Sequence, residues 1–122
     1  MHGPDKCDPQ LGLQIQAHLK KIGVHTPTVP VHYNNDQKIV KIREHFTEIM
    51  NVMGLDLTDD SLCDTPRRVA KMYVNEIFYG LDFRNFPKCT AVDNKMRYDE
   101  LVVERNINTQ SNCEHHFIVI DG

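Results

Sequence analysis

The sequence predicts an α+β fold in which helices occupy the first part of the chain and an antiparallel β-hairpin occupies the last part. Three segments repeat apolar residues at helical spacing, and each is followed by a glycine that can end a helix. The last part of the chain instead holds two apolar, partly β-branched runs that are separated by polar turn residues.

The composition is that of an ordinary globular domain. The chain has 122 residues, of which 40% are hydrophobic and 25% are charged, and its formal net charge is −3. This charge excludes a general attraction to nucleic acid or anionic membranes. No apolar stretch reaches the about 20 residues of a membrane helix, and the polar start lacks the layout of a secretory signal. We therefore expect a cytoplasmic protein without nucleic-acid or membrane partners, whose cysteines are thiols.

Residues 1–35 are expected to contain a tail, a helix and an extended connector. The helix should begin at Leu11, place its apolar residues on one face, and end at Gly23. In residues 24–35, two prolines and several β-branched residues favour an extended connector over a helix.

Residues 36–94 are expected to form a helical part. Its first helix should run from about Asp36 to Met53, with Asn35 or Asp36 as the N-cap and Gly54 as the stop. The apolar stripe of this helix is typical of core packing and not of a cofactor site.

A third helix should start with Thr65 as its N-cap and Pro66 at its first position, where the missing N–H costs nothing. Gly80 should end it. Five apolar or aromatic residues are expected to pack inward: Val69, Met72, Tyr73, Ile77 and Phe78.

Residues 95–122 are expected to begin a catalytic antiparallel sheet. One strand should span residues 96–107, a turn residues 108–112, and a second strand residues 117–121. The second strand has consecutive apolar residues, which indicates a strand covered on both faces. Since two strands alone are marginally stable, either another chain or a longer form of this polypeptide should complete the sheet.

A cluster of metal-capable side chains lies near the end of the sequence, Cys113-Glu114-His115-His116. Sulfur from Cys113 and nitrogen from His116 suit a tetrahedral Zn²⁺ site, and few protein ligands would leave room for water, as in catalytic zinc sites. His115 is placed to move protons near neutral pH. The alternative is that the cluster binds nothing, with His115 as an interface residue and Glu114 as a salt-bridge residue.

A second cluster, Arg68 and Lys71, shares one face of the predicted third helix near its N-terminus. Cations are unfavourable at this positive end of the helix dipole. They could hold an anion such as phosphate together with the exposed N–H groups. Equally, they could pair with the acidic residues just upstream: Asp59, Asp60 and Asp64.

The two clusters, in this order, resemble the bacterial-type GTP cyclohydrolase I family. The stretches that carry the resemblance are DDSLCDTPRRVAKMYVNEIFYGLDFRNFP and SNCEHHFIVIDG, within roughly residues 39–122. The resemblance implies a zinc-dependent hydrolase that converts GTP and water to 7,8-dihydroneopterin triphosphate and formate, the first step of tetrahydrofolate and pterin biosynthesis. It also implies the start of a tunnelling-fold (T-fold) sheet and a homodecamer.

The resemblance assigns a role to each candidate residue. Cys113 and His116 match two zinc ligands, and His115 matches a histidine implicated in proton transfer during opening of the imidazole ring. Arg68 and Lys71 match basic residues that reach the triphosphate bound to a neighbouring subunit.

The family's third zinc ligand, a cysteine, and its guanine-recognising carboxylate lie further downstream and have no counterpart here. We therefore expect an N-terminal portion of the enzyme that is inactive alone. Two alternatives remain: a short non-catalytic paralogue or assembly module that docks on full-length subunits, and a plain metal-binding protein.

Overall fold

Two units make up the chain in the computed structural model, which describes residues 4–122. Met1–Lys88 is referred to below as the helical unit and Cys89–Gly122 as the hairpin unit. Three α-helices lie in the first and a two-stranded antiparallel sheet lies in the second, so the α+β prediction is confirmed at this level.

Helix α1 spans Pro9–Ile22 and begins two residues before the predicted start. Its N-cap is Asp8, whose side chain accepts a hydrogen bond from the Leu11 N–H at 3.0 Å. It ends at Gly23, which has a φ of 73°. Glycine adopts this left-handed conformation without steric cost, so the predicted stop is confirmed.

The residues just before α1 are held by the end of the helical unit. Cys7 forms an isolated antiparallel bridge with Pro87, and the Asp8 N–H donates to the Phe86 carbonyl oxygen at 2.7 Å. The Cys7 side chain is buried, and its Sγ lies 3.4 Å from the Tyr79 hydroxyl. The predicted loose tail is therefore wrong for residues 7–8, while residues 1–3 lie outside the described part of the chain.

Helix α2 spans Asn35–Val52, and its N-cap is Asn34 and not Asn35 or Asp36. The Gln37 N–H donates to the Asn34 side-chain oxygen at 2.9 Å, and the Asn34 N–H donates to the Gln37 side-chain oxygen at 3.0 Å. This reciprocal pair is a capping box, which satisfies two N–H groups at once and so fixes the helix start one residue earlier than predicted.

The capping box gives a first testable prediction. We expect Asn34→Ala to lower the free energy of unfolding by about 1 kcal/mol, because the first turn loses its side-chain acceptor. Asn35→Ala is the matched control and should change it by less than about 0.5 kcal/mol. Urea unfolding followed by far-UV circular dichroism measures both, and equal losses for the two variants would contradict the assignment.

Helix α3 spans Thr65–Met72. Its N-cap position is Asp64 and not Thr65, and the cap makes no side-chain hydrogen bond to the backbone. Pro66 is buried in the first turn, as its fixed φ and missing N–H allow. The Asp64 carboxylate is instead engaged by arginine side chains of the same helix.

The α-helix predicted to continue to Gly80 ends at Met72, and the residues after it are helical turns of other types. Tyr73–Ile77 forms a π-helical turn and Tyr79–Leu81 a 3₁₀ turn. The Phe78 N–H donates to the Tyr73 carbonyl oxygen at 2.9 Å, and the two rings meet edge to face at 5.4 Å. The wider turn aligns residues five apart, which an α-helix would separate.

The core of the helical unit is small. Helix α2 packs against α3, and the most buried side chains of the pair are Met50 and Ala70, with 3% and 0% of their surface exposed. The five residues predicted to pack inward from the third helix are half-buried. Helix α1 packs on a 3₁₀ turn at Phe83–Asn85 through its buried Gly12.

In the hairpin unit, β1 spans Gln110–Asn112 and β2 spans Val119–Asp121. They pair antiparallel, with Asn112 opposite Val119. The strand predicted at residues 96–107 is wrong, because these residues form no strand, and β1 lies in the predicted turn. Residues 96–107 pair with no neighbouring strand in the described part of the chain, and an extended sequence becomes a strand only through such pairing.

Within residues 4–122, none of the helices combines the length and the apolar character that a membrane span requires.

Candidate functional site

The cysteine–histidine cluster lies in the turn that joins β1 to β2. The Phe117 N–H donates to the Cys113 carbonyl oxygen at 2.8 Å, and the Cys113 N–H donates to the Ile118 carbonyl oxygen at 2.9 Å. The first of these bonds spans four residues, as in an α-helix. Residues 113–116 therefore form one helical turn inside the hairpin, and Cys113 and His116, three residues apart, face the same side.

Both imidazoles approach the thiol. Cys113 Sγ lies 3.7 Å from His115 Nδ1 and 3.9 Å from His116 Nδ1. A tetrahedral zinc ion bound to one sulfur at about 2.3 Å and one nitrogen at about 2.0 Å would separate those atoms by about 3.5 Å. The structure thus brings the predicted pair to a separation that one ion can bridge, and the donor set fits Zn²⁺.

Either histidine could be the second metal donor beside Cys113. His115 Nδ1 is as near to the sulfur as His116 Nδ1, and both side chains are exposed whereas Cys113 is half-buried. Among residues 4–122, no three histidine, cysteine, aspartate or glutamate side chains come together as a metal-binding group. The ligand and proton-transfer roles of these residues remain predictions.

A buried acceptor lies next to the cluster. The side-chain oxygen of Asn112 is shielded from solvent and accepts no hydrogen bond from the residues that the structure describes. An unsatisfied buried acceptor costs about 1–3 kcal/mol, so this position favours an additional donor. Asn112 was not predicted as a site residue, because the side chain of an asparagine in a turn normally forms a hydrogen bond with its own backbone.

At the basic cluster, the Asp64 carboxylate accepts hydrogen bonds from arginine side chains of α3. Asp64 accepts from Arg67 Nε at 2.7 Å, from the Arg67 terminal nitrogen, and from Arg68 Nε at 3.3 Å. The hydrogen bonds from Arg67 are the main reason that the pKa of Asp64 is lowered. Of the three acids considered, Asp64 is therefore the partner, while Asp59 accepts from Ser61 instead. The bidentate partner, Arg67, was missed by the sequence analysis.

Arg68 and Lys71 keep their charged ends accessible. The Arg68 side chain is 76% exposed, and its contact with Asp64 is a surface ion pair, which contributes little to stability. Lys71 is exposed and makes no ion pair in the described part of the chain. The acidic pairing therefore does not prevent an anion from binding to these two residues.

Comparison with known proteins places both clusters within one match. The family model for GTP cyclohydrolase I matches residues 42–122. This chain belongs to the GTP cyclohydrolase I family. The match includes the basic cluster on α3 as well as the cysteine–histidine turn, so the resemblance seen in the sequence is confirmed.

Individual members of the GTP cyclohydrolase I family match at high identity. The chain is 51% identical over 113 residues to GTP cyclohydrolase 1 of Shewanella sp. (strain W3-18-1), which covers 93% of this chain and 53% of the relative. It is 53% identical to the Aeromonas salmonicida enzyme, with coverage of 93% and 52%. The chain thus spans about half the length of the curated relatives it matches.

Proposed function

We propose that this chain is the N-terminal portion of a GTP cyclohydrolase I that hydrolyses GTP to 7,8-dihydroneopterin triphosphate and formate. The observation that carries the proposal is the separation of 3.9 Å between Cys113 Sγ and His116 Nδ1 on one turn of a family member. In this role the chain would serve the first step of tetrahydrofolate and pterin biosynthesis in the cytoplasm.

Cys113 and His116 would hold a zinc ion. When bound, zinc would supply a Lewis acid that makes water nucleophilic at neutral pH. A thiolate and an imidazole suit this metal, and the short helical turn keeps both donors on one side. The remaining ligands would come from outside this turn, since no three metal-binding side chains form one group among the described residues.

His115 would move the proton when the imidazole ring of the substrate opens. Its side chain is exposed, and the two ring nitrogens of an imidazole can donate and accept a proton. Its place beside the metal pair would put it within reach of a substrate held at the metal. Because its Nδ1 also faces Cys113 Sγ at 3.7 Å, proton transfer would require Nε2 or a rotated side chain.

Arg68 and Lys71 would bind the substrate triphosphate of a neighbouring subunit. Both are exposed on α3, and charge-assisted contacts from arginine and lysine suit phosphate oxygens. A homo-oligomer, a decamer in the complete enzyme, would bring them to the neighbour's site. The hairpin would be the start of a T-fold sheet.

We expect the 122-residue chain alone to be inactive, because two protein ligands rarely hold zinc tightly and the family resemblance implies that the guanine-recognising carboxylate lies outside these residues. The test assays GTP turnover by the fluorescence of the oxidised pterin product. It compares this chain with a chimera in which the remaining half of the Shewanella sp. relative follows residue 122. Turnover by the chimera alone is the expected result. Robust turnover by the 122-residue chain would contradict the expected inactivity, and a folded but silent chimera would contradict the enzymatic proposal.

A second candidate is a short assembly module that docks on full-length subunits. The exposed apolar side chains of β2 and the residues before it favour this candidate, since Ile118 and Ile120 are 64% and 56% exposed. Such a strand could add to the edge of another sheet. Size-exclusion chromatography with and without a full-length relative tests this candidate. A chain that elutes as a monomer at the same volume in both runs would exclude the module.

A further inference from the structure

The residue that ends the cysteine–histidine turn has an unusual backbone. Phe117 adopts a φ of 56°, in the left-handed region. A bulky side chain disfavours this region by roughly tenfold, since Cβ approaches the following carbonyl oxygen. The sequence predicted Phe117 as the first residue of an extended strand, so neither propensity nor strand pattern accounts for this conformation.

The left-handed residue has a structural consequence for the turn. A helical turn that ends in this conformation reverses direction at once, as at many helix C-termini. Here the Phe117 N–H reaches back to the Cys113 carbonyl oxygen at 2.8 Å, and the next residue, Ile118, accepts from the Cys113 N–H at 2.9 Å. Cys113 therefore takes part in two backbone hydrogen bonds, one through its N–H and one through its carbonyl oxygen.

These bonds determine where the metal donors lie. With both backbone groups of Cys113 engaged, the turn keeps its helical winding and His116 stays three residues away on the same side. Cys113 Sγ and His116 Nδ1 are then 3.9 Å apart. The φ of Phe117 orients the residues that follow it, so an extended Phe117 would move the Ile118 carbonyl oxygen away from the Cys113 N–H. The turn would then lose the hydrogen bond that closes it on the second strand.

We propose that Phe117 is a positioning residue, whose left-handed backbone holds Cys113 and His116 at a separation that one metal ion can bridge. This inference rests on the metal site of the proposed function, but it concerns the conformation of residue 117 and not the reaction. The proposed contribution is that of the backbone conformation, and the residue as a whole is 52% exposed.

Two substitutions separate the backbone from the ring. Phe117→Gly and Phe117→Ala both remove the ring, but only glycine adopts the left-handed region without cost. In the 122-residue chain, we expect the glycine variant to bind Co²⁺ about tenfold more tightly than the alanine variant. Titration with Co²⁺, followed by the thiolate-to-cobalt charge-transfer absorption, gives both affinities. Equal affinities for the two variants would overturn the inference.

Arg97 provides a matched control, because it has a φ of 52° in the same unit but lies outside the turn. Arg97→Gly and Arg97→Ala should bind Co²⁺ equally. A tenfold difference at Arg97 would show general stabilisation of the unit and would also overturn the inference.

The wild-type chain separates this inference from the proposed function. If it binds Co²⁺ while the two Phe117 variants are equal, the positioning role fails and the metal site stands. If neither it nor the chimera described above gives charge-transfer absorption at any Co²⁺ concentration, both fail.

Discussion

Cys113→Ala is expected to remove zinc from the chimera described above and to lower its GTP turnover by about a thousandfold. The thiol is one of the two proposed donors, and its sulfur lies 3.9 Å from Nδ1 of the other, His116. Loss of a metal that generates the nucleophile removes several kilocalories per mole of transition-state stabilisation, and about 4 kcal/mol corresponds to a thousandfold. Zinc content by atomic absorption and kcat from the pterin assay measure the two effects separately.

Cys63→Ala is the control for this substitution, because Cys63 is a free thiol that belongs to the helical unit and not to the cysteine–histidine turn. It should retain full zinc content and turnover. A Cys113→Ala chimera that keeps its zinc would contradict the assignment of the sulfur as a ligand.

The two histidines give the same experiment a second use. The distances to Cys113 Sγ, 3.7 Å for His115 and 3.9 Å for His116, do not decide which imidazole is the ligand. We expect His116→Ala to lose zinc, and His115→Ala to keep zinc while losing turnover. The reverse pattern would exchange their roles.

The helix ends show what local sequence can predict. Gly23 and Gly54 both have positive φ, at 73° and 78°, so glycine as a stop signal was informative. The start of α2 was misplaced because Asn34, Asn35 and Asp36 can each serve as an N-cap. The reciprocal bond from Gln37, three residues after Asn34, selects among them.

The hairpin unit shows where sequence reasoning stops. A run of β-branched and apolar residues predicts an extended backbone, but a strand also needs a partner, and residues 96–107 have none among the described residues. Their side chains are accordingly exposed, with Leu101 at 89%.

The residues of the candidate site could be predicted from the sequence, but the backbone conformation of the turn could not. Cys113 and His116 are three residues apart, so any helical turn brings them together. The left-handed Phe117 was not predictable, since intrinsic preference opposes it. Arg67 was not predicted as a partner of Asp64, although their spacing of three residues brings the two side chains together and Asp64 accepts from Arg67 at 2.7 Å.

Gly12→Ala is expected to lower the free energy of unfolding by about 3 kcal/mol, at the upper end of the usual cost of overpacking. Gly12 is buried where α1 meets the 3₁₀ turn at Phe83–Asn85. A Cβ added there would overlap the Phe83 carbonyl oxygen and lie 2.8 Å from the Phe86 Cβ. The first is a backbone atom, so it cannot move aside as a flexible side chain would.

The expected loss of stability in Gly12→Ala is informative because helix propensity predicts a gain. In an exposed helix, alanine in place of glycine stabilises by about 1 kcal/mol, so helix propensity alone predicts the opposite result. Here α1 cannot retreat freely, because the Asp8 N–H binds the Phe86 carbonyl oxygen at 2.7 Å just before the helix. The added methyl group must therefore break that pairing or distort the turn.

Gly80→Ala is the matched control, since a Cβ at Gly80 has no atom within 4 Å. It should change the free energy of unfolding by less than about 0.5 kcal/mol. Urea unfolding of both variants measures the difference. If Gly12→Ala were as stable as Gly80→Ala, α1 would not pack on Phe83–Asn85 in solution, and the ordering of residues 7–8 against the end of the helical unit would fail with it.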